Sequence, residues 1–158
     1  IYGSNKDKNI SRLIKFTYRF RLSITFGKGL NKFQPIYFED LSDAISKVVL
    51  NKNIVGEYNL TGKDCLNFNS IVAAISNNTK RRIFNFKLSL KFSAYICKIF
   101  EKIIKFKILP VSSEQIFRMS EDKCFDNSKA KNDFGFNPIG FEKGLKLQIN
   151  QMFKGGYL

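Results

Sequence analysis

The sequence contains no histidine. The chain therefore has no imidazole base, no His-based catalytic triad and no Cys/His zinc site. Acidic residues are also scarce, with 13 Asp and Glu against 27 Lys and Arg and a net charge of +14. A basic chain is typical of proteins that bind nucleic acid, an anionic membrane surface or phosphate-bearing substrates. A codon bias toward Lys, Asn, Ile and Phe produces the same composition without any partner.

Cysteine is equally sparse. Cys65, Cys97 and Cys124 are far apart and odd in number, so we expect buried, unpaired thiols in a reducing compartment. No apolar run is long enough to span a bilayer, and the first residues do not have the pattern of a signal peptide. A length of 158 residues suits one domain with a sizeable core. A cytoplasmic protein is the expectation.

Residues 34–49 are the stretch around which the rest is organised. Residues 36–38 are β-branched or aromatic and predict a buried strand. Glu39 and Asp40 follow, and carboxylates favour the first turn of a helix. Apolar residues then recur at helical spacing up to Val49. This order is half of a βαβ unit, which requires a parallel sheet, and the chain before it is too short to supply one.

Further elements are predicted along the chain. Strands are expected at residues 1–3, 22–26, 57–60 and 83–86, with an extended stretch at 124–126 and a turn at 27–29. Helices are expected from residue 9 onward, after an Asn67 cap, and at 88–109, 112–118, 127–133 and 141–153.

Five local strings occur along the chain in a fixed order. They are Ile1-Tyr2-Gly3, Asp7-Lys8-Asn9-Ile10, residues 34–41 (QPIYFEDL), residues 56–62 (GEYNLTG), and residues 125–130 (FDNSKA) followed by 134–138 (FGFNP). Together they resemble the C-terminal portion of the extended short-chain dehydrogenases/reductases, the NAD-dependent epimerase/dehydratase family of nucleotide-sugar enzymes. The resemblance implies an α/β fold: the C-terminal part of a Rossmann-like parallel-sheet protein, with the last strands and a helical substrate-binding subdomain. Residues 1–158 would be the substrate-binding portion, and the dinucleotide-binding portion would be absent.

The resemblance also implies a site. The residues that would line a sugar-nucleotide pocket are Asn9, Lys28, Lys32, Gln34 and Arg118, and Tyr2 would lie on the cofactor side. A diphosphate favours guanidinium, ammonium and helix N-terminal N–H donors, which agrees with these residue types. A plain helix cap at Asn9 and a solvated helix-end arginine at Arg118 are the simpler alternatives. Phe33 stands nearest the position where these epimerases usually have an arginine.

The catalytic parts of that family are not in this sequence. Its glycine-rich dinucleotide turn, catalytic Ser/Thr and helical Tyr-x-x-x-Lys pair would all precede Ile1. Tyr2 and Lys6 match the last spacing, but the residues between them have loop composition, so the two side chains would not share a helical face. We therefore expect the chain alone to be inactive, with NAD or NADP bound by a parent protein that is a homodimer. Epimerases, dehydratases and ketoreductases share these segments, so the reaction is left open.

Residues 80–107 are rich in Lys, Arg, Phe and Ile and hold a single acid, Glu101. One interpretation is a helix of the substrate domain with a solvated lysine side. The other is a helix on an anionic inner leaflet, which would make the protein a peripheral membrane-binding module or one that acts on a lipid-linked sugar. Nucleic-acid binding is not expected, because no RNP-like, helix-turn-helix or zinc-knuckle pattern is present.

Overall fold

The computed structural model of the protein describes residues 1–89 and 121–158. Within these ranges the helices and strands, in chain order and numbered by type, are α1 (Ile10–Phe20), β1 (Leu22–Phe26), β2 (Lys32–Phe33), α2 (Phe38–Leu50), β3 (Leu66–Asn67), α3 (Phe68–Thr79), β4 (Phe84–Leu88), α4 (Ser128–Phe134) and α5 (Phe141–Lys154).

The start of the chain pairs in parallel with the residues that precede α2. The Tyr2 amide donates to the Ile36 carbonyl, and the Phe38 amide donates to the Tyr2 carbonyl, both at 2.9 Å. The pairing is a single parallel bridge between Tyr2 and Tyr37. The parallel direction predicted for a βαβ half-unit is present, but the predicted strand at 36–38 is shortened because α2 already begins at Phe38.

Two further strand pairs lie in the body of the chain. β1 and β4 form a parallel pair over the full length of both strands, from Leu22–Phe84 to Phe26–Leu88. β2 and β3 form a short antiparallel pair. The predicted strands at 22–26 and 83–86 are thus confirmed, the second with a shift of one to two residues.

The predicted strand at 57–60 is wrong. These residues are irregular, and the side chains of Tyr58 and Leu60 pack against a small cluster that includes Ile36 and Ala44. Tyr58 also donates a hydrogen bond to the Asp133 carboxylate at 2.8 Å. This segment is held by side-chain packing and hydrogen bonds to residues 126–133 in place of a strand partner.

The predicted helices inside the described ranges are confirmed. The Asn67 side chain accepts from the Ser70 amide at 2.8 Å, so it caps α3 as expected. α4 and α5 lie within one residue of their predicted bounds. The expected helix at 88–109 does not begin at Leu88, which ends β4, and Ser89 is irregular. Residues 90–109 and the helix at 112–118 fall outside the described residues. No helix in the described part of the chain is long and apolar enough to cross a membrane.

The main core lies between α1, α3 and α5. Its fully buried centre is formed by Ile14, Ile75, Leu145, Ile149 and Met152. Tyr2 and Tyr37 join the same cluster, so the parallel bridge is anchored in the core. A second, smaller cluster (Ile36, Ala44, Ala130 and Phe136) holds α2 against α4.

The expectation of unpaired, buried cysteines is wrong for two of the three residues. Cys65 and Cys124 form a disulfide with a Cα–Cα distance of 5.9 Å, and the Cys65 side chain is exposed. Phe33 is paired with both Leu66 and Lys123, which brings the neighbouring cysteines together although 59 positions separate them. Cys97 lies outside the described residues.

Candidate substrate-binding site

The short strand β2 is bound to the segment just before α4. The Lys32 amide donates to the Asp122 carboxylate at 2.8 Å, and the Lys32 carbonyl accepts from the Lys123 amide at 2.7 Å. Because both its backbone amide and its backbone carbonyl are hydrogen-bonded, Lys32 has a fixed position while its ammonium side chain is exposed. An immobilised backbone with an exposed cation suits the binding of an anionic group.

Gln34 connects three segments of the chain. Its side-chain amide nitrogen donates to the Gly62 carbonyl at 2.9 Å, and its side-chain oxygen accepts from the Phe125 amide at 2.8 Å. Gly62 is needed at this contact, because a Cβ there would overlap the Pro35 carbonyl oxygen. Gln34 therefore joins the loop at 61–65 to residues 122–125, the same two segments that the disulfide links. Its direct contact with a substrate stays a prediction.

Lys28 lies in the turn between β1 and β2. Asn69 of α3 holds this turn with two hydrogen bonds. Its side-chain nitrogen donates to the Lys28 carbonyl at 3.1 Å, and its backbone amide donates to the Gly29 carbonyl at 3.3 Å. Gly29 has a φ of +67°, and a Cβ there would overlap the side chains of Thr25 and Asn69. The turn is therefore tightly fixed on α3, and the exposed ammonium of Lys28 extends from it.

Asn9 precedes α1, but it does not cap the helix with its side chain. Asp7 does so instead, because one of its carboxylate oxygens accepts from the amides of Asn9 and Ser11 at 3.0 and 2.9 Å. The other Asp7 oxygen accepts from the Gln148 side chain at 2.6 Å. The exposed side-chain amide of Asn9 is therefore free of any capping role within the described residues, which leaves it available to a ligand.

Tyr2 is enclosed by the core, with 1% of its surface exposed. Its hydroxyl donates to the Phe141 carbonyl at 3.3 Å, and its ring contacts the rings of Tyr37 and Phe141. Burial raises the pKa of its phenol far above the ordinary value, and the nearby carboxylate of Asp40 raises it further. Tyr2 is consequently a neutral hydrogen-bond donor, and its predicted contact with a cofactor stays a prediction.

The structure thus groups some of the predicted site residues and not others. Lys32 and Gln34 share one hydrogen-bonded unit with residues 122–125, and Lys28 lies on the turn that leads into it. Asn9 stands apart at the start of α1, beside Asp7 and Gln148. Arg118 lies outside the described residues.

Sequence reasoning missed the residues that hold these groups in place. Asp7 has the signal of an acidic helix start, but the alternative considered from the sequence placed a cap at Asn9, which is nearer the helix. Asp122, Asn69 and the disulfide act over long sequence separations, so no local pattern could have assigned them.

That a dinucleotide is not bound by this chain alone stays a prediction. The sequence has no G-x-G-x-x-G turn to approach a pyrophosphate. The one residue predicted on the cofactor side, Tyr2, has its hydroxyl engaged with the Phe141 carbonyl. The site that the described residues do offer consists of exposed cations and an uncommitted amide, which are groups that recognise phosphates and sugar hydroxyls.

Solved structures share this fold. The UDP-glucose 4-epimerase of Thermotoga maritima superposes with a TM-score of 0.69 at 16% identity, over 98% of this chain and 43% of its own. The UDP-N-acetylglucosamine 4-epimerase of Bacillus cereus gives 0.68 at 14% identity, over 96% and 43%. The dTDP-glucose 4,6-dehydratase of Bacillus anthracis, solved in complex with NAD, gives 0.64 at 21% identity, over 99% and 43%. The sequence itself matches no protein-family model and no curated protein.

These superpositions define the class of fold. The chain has the α/β fold of the C-terminal part of Rossmann-like epimerase and dehydratase structures, as the sequence predicted. It spans less than half the length of the structures that it matches. The resemblance to extended short-chain dehydrogenases/reductases is therefore confirmed at the level of the fold.

Proposed function

We propose that this chain is the substrate-binding portion of an NAD(P)-dependent epimerase/dehydratase-like protein and that it binds a nucleotide sugar. The observation that carries the proposal is the agreement of fold over 96–99% of the chain with two sugar-nucleotide epimerases and a sugar-nucleotide dehydratase. The alternative of nucleic-acid binding has no comparable support.

The exposed cations and the Asn9 amide are assigned to the ligand. The ammonium groups of Lys28 and Lys32 bind the diphosphate, because each extends from a backbone that is fixed by hydrogen bonds. The Asn9 amide, at the start of α1, supplies a neutral donor and acceptor for a sugar or phosphate oxygen. Gln34 fixes the wall behind Lys32, and Arg118 is assigned to the same ligand from the sequence alone.

The cofactor belongs to the other portion of such a protein. NAD or NADP, when bound, supplies hydride transfer at the nicotinamide. The contribution of this chain is to place the sugar, and Tyr2 fixes the parallel bridge at the cofactor side. The proposal has two less specific parts. One is that the whole protein is a homodimer, and the other is that a lipid-linked sugar is the alternative substrate.

Calorimetric titration of the intact protein tests the proposal. UDP-glucose, UDP-N-acetylglucosamine and dTDP-glucose are titrated in parallel, with glucose and uridine as ligands that lack the diphosphate. We expect at least one sugar nucleotide to bind and the two phosphate-free ligands not to bind. Replacement of Lys32 by Ala should weaken binding by about tenfold, since a hydrogen bond to a charged group contributes about 1.5–3 kcal/mol.

Lys52→Ala is the matched control, because Lys52 is an equally exposed lysine in the loop that follows α2. Its replacement changes the net charge by the same amount and should leave affinity unchanged. The proposal is wrong if no sugar nucleotide binds, or if Lys52→Ala weakens binding as much as Lys32→Ala.

A further inference from the structure

In the two-stranded β1–β4 sheet, β1 buries its polar side chains and exposes apolar ones, whereas Asn85 and Lys87 of β4 are exposed. Side chains of neighbouring residues in a strand point to opposite faces. One face carries Ser23 and Thr25, which are fully buried, and Thr25 donates to the Asn85 side chain at 2.6 Å. Asn85 in turn donates to Asn69 of α3, so this polar face packs on the body of the protein.

The other face is entirely apolar. The parallel register places six side chains on it as three cross-strand pairs: Leu22 with Phe84, Ile24 with Phe86, and Phe26 with Leu88. Three of its members are well exposed, with Ile24 at 39%, Phe84 at 55% and Phe86 at 60%. We call these six residues the apolar sheet face. A contiguous exposed face of this composition marks an interaction site.

The surroundings of this face are cationic. The guanidinium carbon of Arg82 lies 5.4 Å from the centroid of the Phe84 ring, and that of Arg19 lies 5.8 Å from the centroid of the Phe20 ring. The sequence has no Asp or Glu between Asp7 and Glu39, nor between Asp64 and Glu101. The elements α1, β1, β2, α3 and β4 therefore carry no acid. The cations in and beside them are Lys8, Arg12, Lys15, Arg19, Arg21, Lys28, Lys32, Lys80, Arg81, Arg82 and Lys87.

The acids of the described residues lie on other elements. Those of α2 are in its first half. The others are Glu57 and Asp64 in the chain between α2 and β3, three acids at 121–126, Asp133 near the end of α4 and Glu142 in α5. Asp7, just before α1, is bound to Gln148 of α5. Glu142 of α5 contacts Asn78 near the end of α3, on the side of that helix that packs on α5. Asp122 likewise contacts one of the elements without acids, through the Lys32 amide of β2. The elements that form and adjoin the apolar sheet face thus carry a net positive charge in sequence, and Arg82 lies directly beside the face.

From this geometry we propose that the apolar sheet face docks on an anionic lipid bilayer. Phe and Ile side chains enter the boundary between headgroups and acyl chains, while Arg82 and the other cations of these elements, apart from Lys28 and Lys32, bind lipid phosphates. The charge complementarity is what selects this partner, because a positively charged rim disfavours a second copy of the same chain. A nucleic acid is disfavoured because the face has no hydrogen-bonding side chain, and leucine and isoleucine alternate with its aromatics.

Single-tryptophan variants test the docking directly, since the chain has no tryptophan of its own. Phe86→Trp places the probe on the apolar sheet face. Val49→Trp places it on α2, at a site that is 72% exposed, and is the matched control. Both are mixed with vesicles of phosphatidylcholine alone or with an equal part of phosphatidylglycerol. We expect a blue shift and quenching by brominated lipid for Phe86→Trp with anionic vesicles, and no change for Val49→Trp.

Charge and salt provide the second measurement. Arg82→Glu should reduce partition into anionic vesicles by about tenfold, whereas Lys52→Glu, the same charge change in a loop, should reduce it far less. Binding should weaken as salt rises, because screening shortens the range of the attraction. If Arg82→Glu fails to fold, the tryptophan measurement decides alone.

Several outcomes would overturn the proposal. One is a Phe86→Trp emission that ignores vesicles, or that responds equally to neutral and anionic ones. A second is an emission shift that appears with single-stranded RNA instead of lipid. A third is an emission shift that depends only on protein concentration, because it would report self-association. A fourth is an equal emission change at both tryptophan sites. No sugar nucleotide takes part in these measurements, so their failure would leave the proposed substrate untouched.

Discussion

The phenol of Tyr2 lies directly against Gly144, in the first half of α5. A Cβ built on Gly144 would overlap the Tyr2 hydroxyl and lie 2.9 Å from the ring carbon that bears it. The same hydroxyl donates to the Phe141 carbonyl, one helical turn earlier. Glycine at this position lets the start of the chain pack against its last helix, and this contact fixes the parallel bridge from Tyr2 to Tyr37.

Gly144→Ala should therefore destabilise the protein. Alanine favours a helix interior over glycine by about 1 kcal/mol, but forcing a methyl group into a packed contact costs about 1–3 kcal/mol. The obstacle is a buried ring, so we expect the clash to dominate and the free energy of unfolding to fall. Denaturant unfolding measures the change. The Tyr2→Phe/Gly144→Ala double variant is the control: removing the hydroxyl should recover part of the loss, and strict additivity would contradict the contact.

The Cys65–Cys124 disulfide gives a prediction in thiol counts and in stability. Thiol titration of the denatured, unreduced protein should find one free thiol, that of Cys97, because two of the three cysteines are paired. Reduction should release the other two and lower the free energy of unfolding by about 2–4 kcal/mol, since the bridge restrains a long loop in the unfolded chain. Cys97→Ser should leave this effect intact. Three titratable thiols before reduction would contradict the pairing.

How far the sequence predicts this structure depends on the range of each interaction. The start of α3 was predictable because Asn67 and Ser70 are three residues apart. β1 was predictable because its alternating apolar residues stop at the turn of residues 27–29. The disulfide and the contacts of Gln34 link positions 28 to 91 residues apart, and no local pattern records such distances. Residues 57–60 have strand composition, but the fold gives Tyr58 a packing role in place of a strand partner.

In the candidate site, too, the sequence predicts the residue types but not the long-range contacts that hold them in place. The residue types Lys28 and Lys32 could be assigned from a resemblance, because a lysine in a turn is visible in the sequence. What fixes them was not visible: Asn69 and Asp122 are 41 and 90 positions away. The inverted sheet face was also hidden, because an alternating pattern shows that β1 has two different faces but not which one is covered.

The pH dependence of stability should include a contribution from Asp126. Its carboxylate accepts from the Ser128 hydroxyl at 2.5 Å and from the Ser128 amide at 3.1 Å, and these two bonds lower its pKa from the ordinary value of 3.8. A group whose pKa is lower in the folded state stabilises the protein above its unfolded pKa, and this stabilisation is lost as pH falls through the folded value. Melting temperatures of the wild type and Asp126→Asn, measured from pH 7 to 2, should therefore converge at the acid end. A constant difference would refute this origin.

Asp7 and Asn9 should separate stability from binding. Asp7 accepts from two amides at the start of α1 and from the Gln148 side chain, so Asp7→Ala should lower the free energy of unfolding by about 1–3 kcal/mol. Asn9→Ala removes an exposed side chain without a capping bond, so stability should change by less than about 0.5 kcal/mol. Affinity for a sugar nucleotide should nevertheless fall severalfold in Asn9→Ala. Urea unfolding and calorimetric titration of both variants distinguish the roles; unchanged affinity in a fully stable Asn9→Ala protein would remove Asn9 from the site.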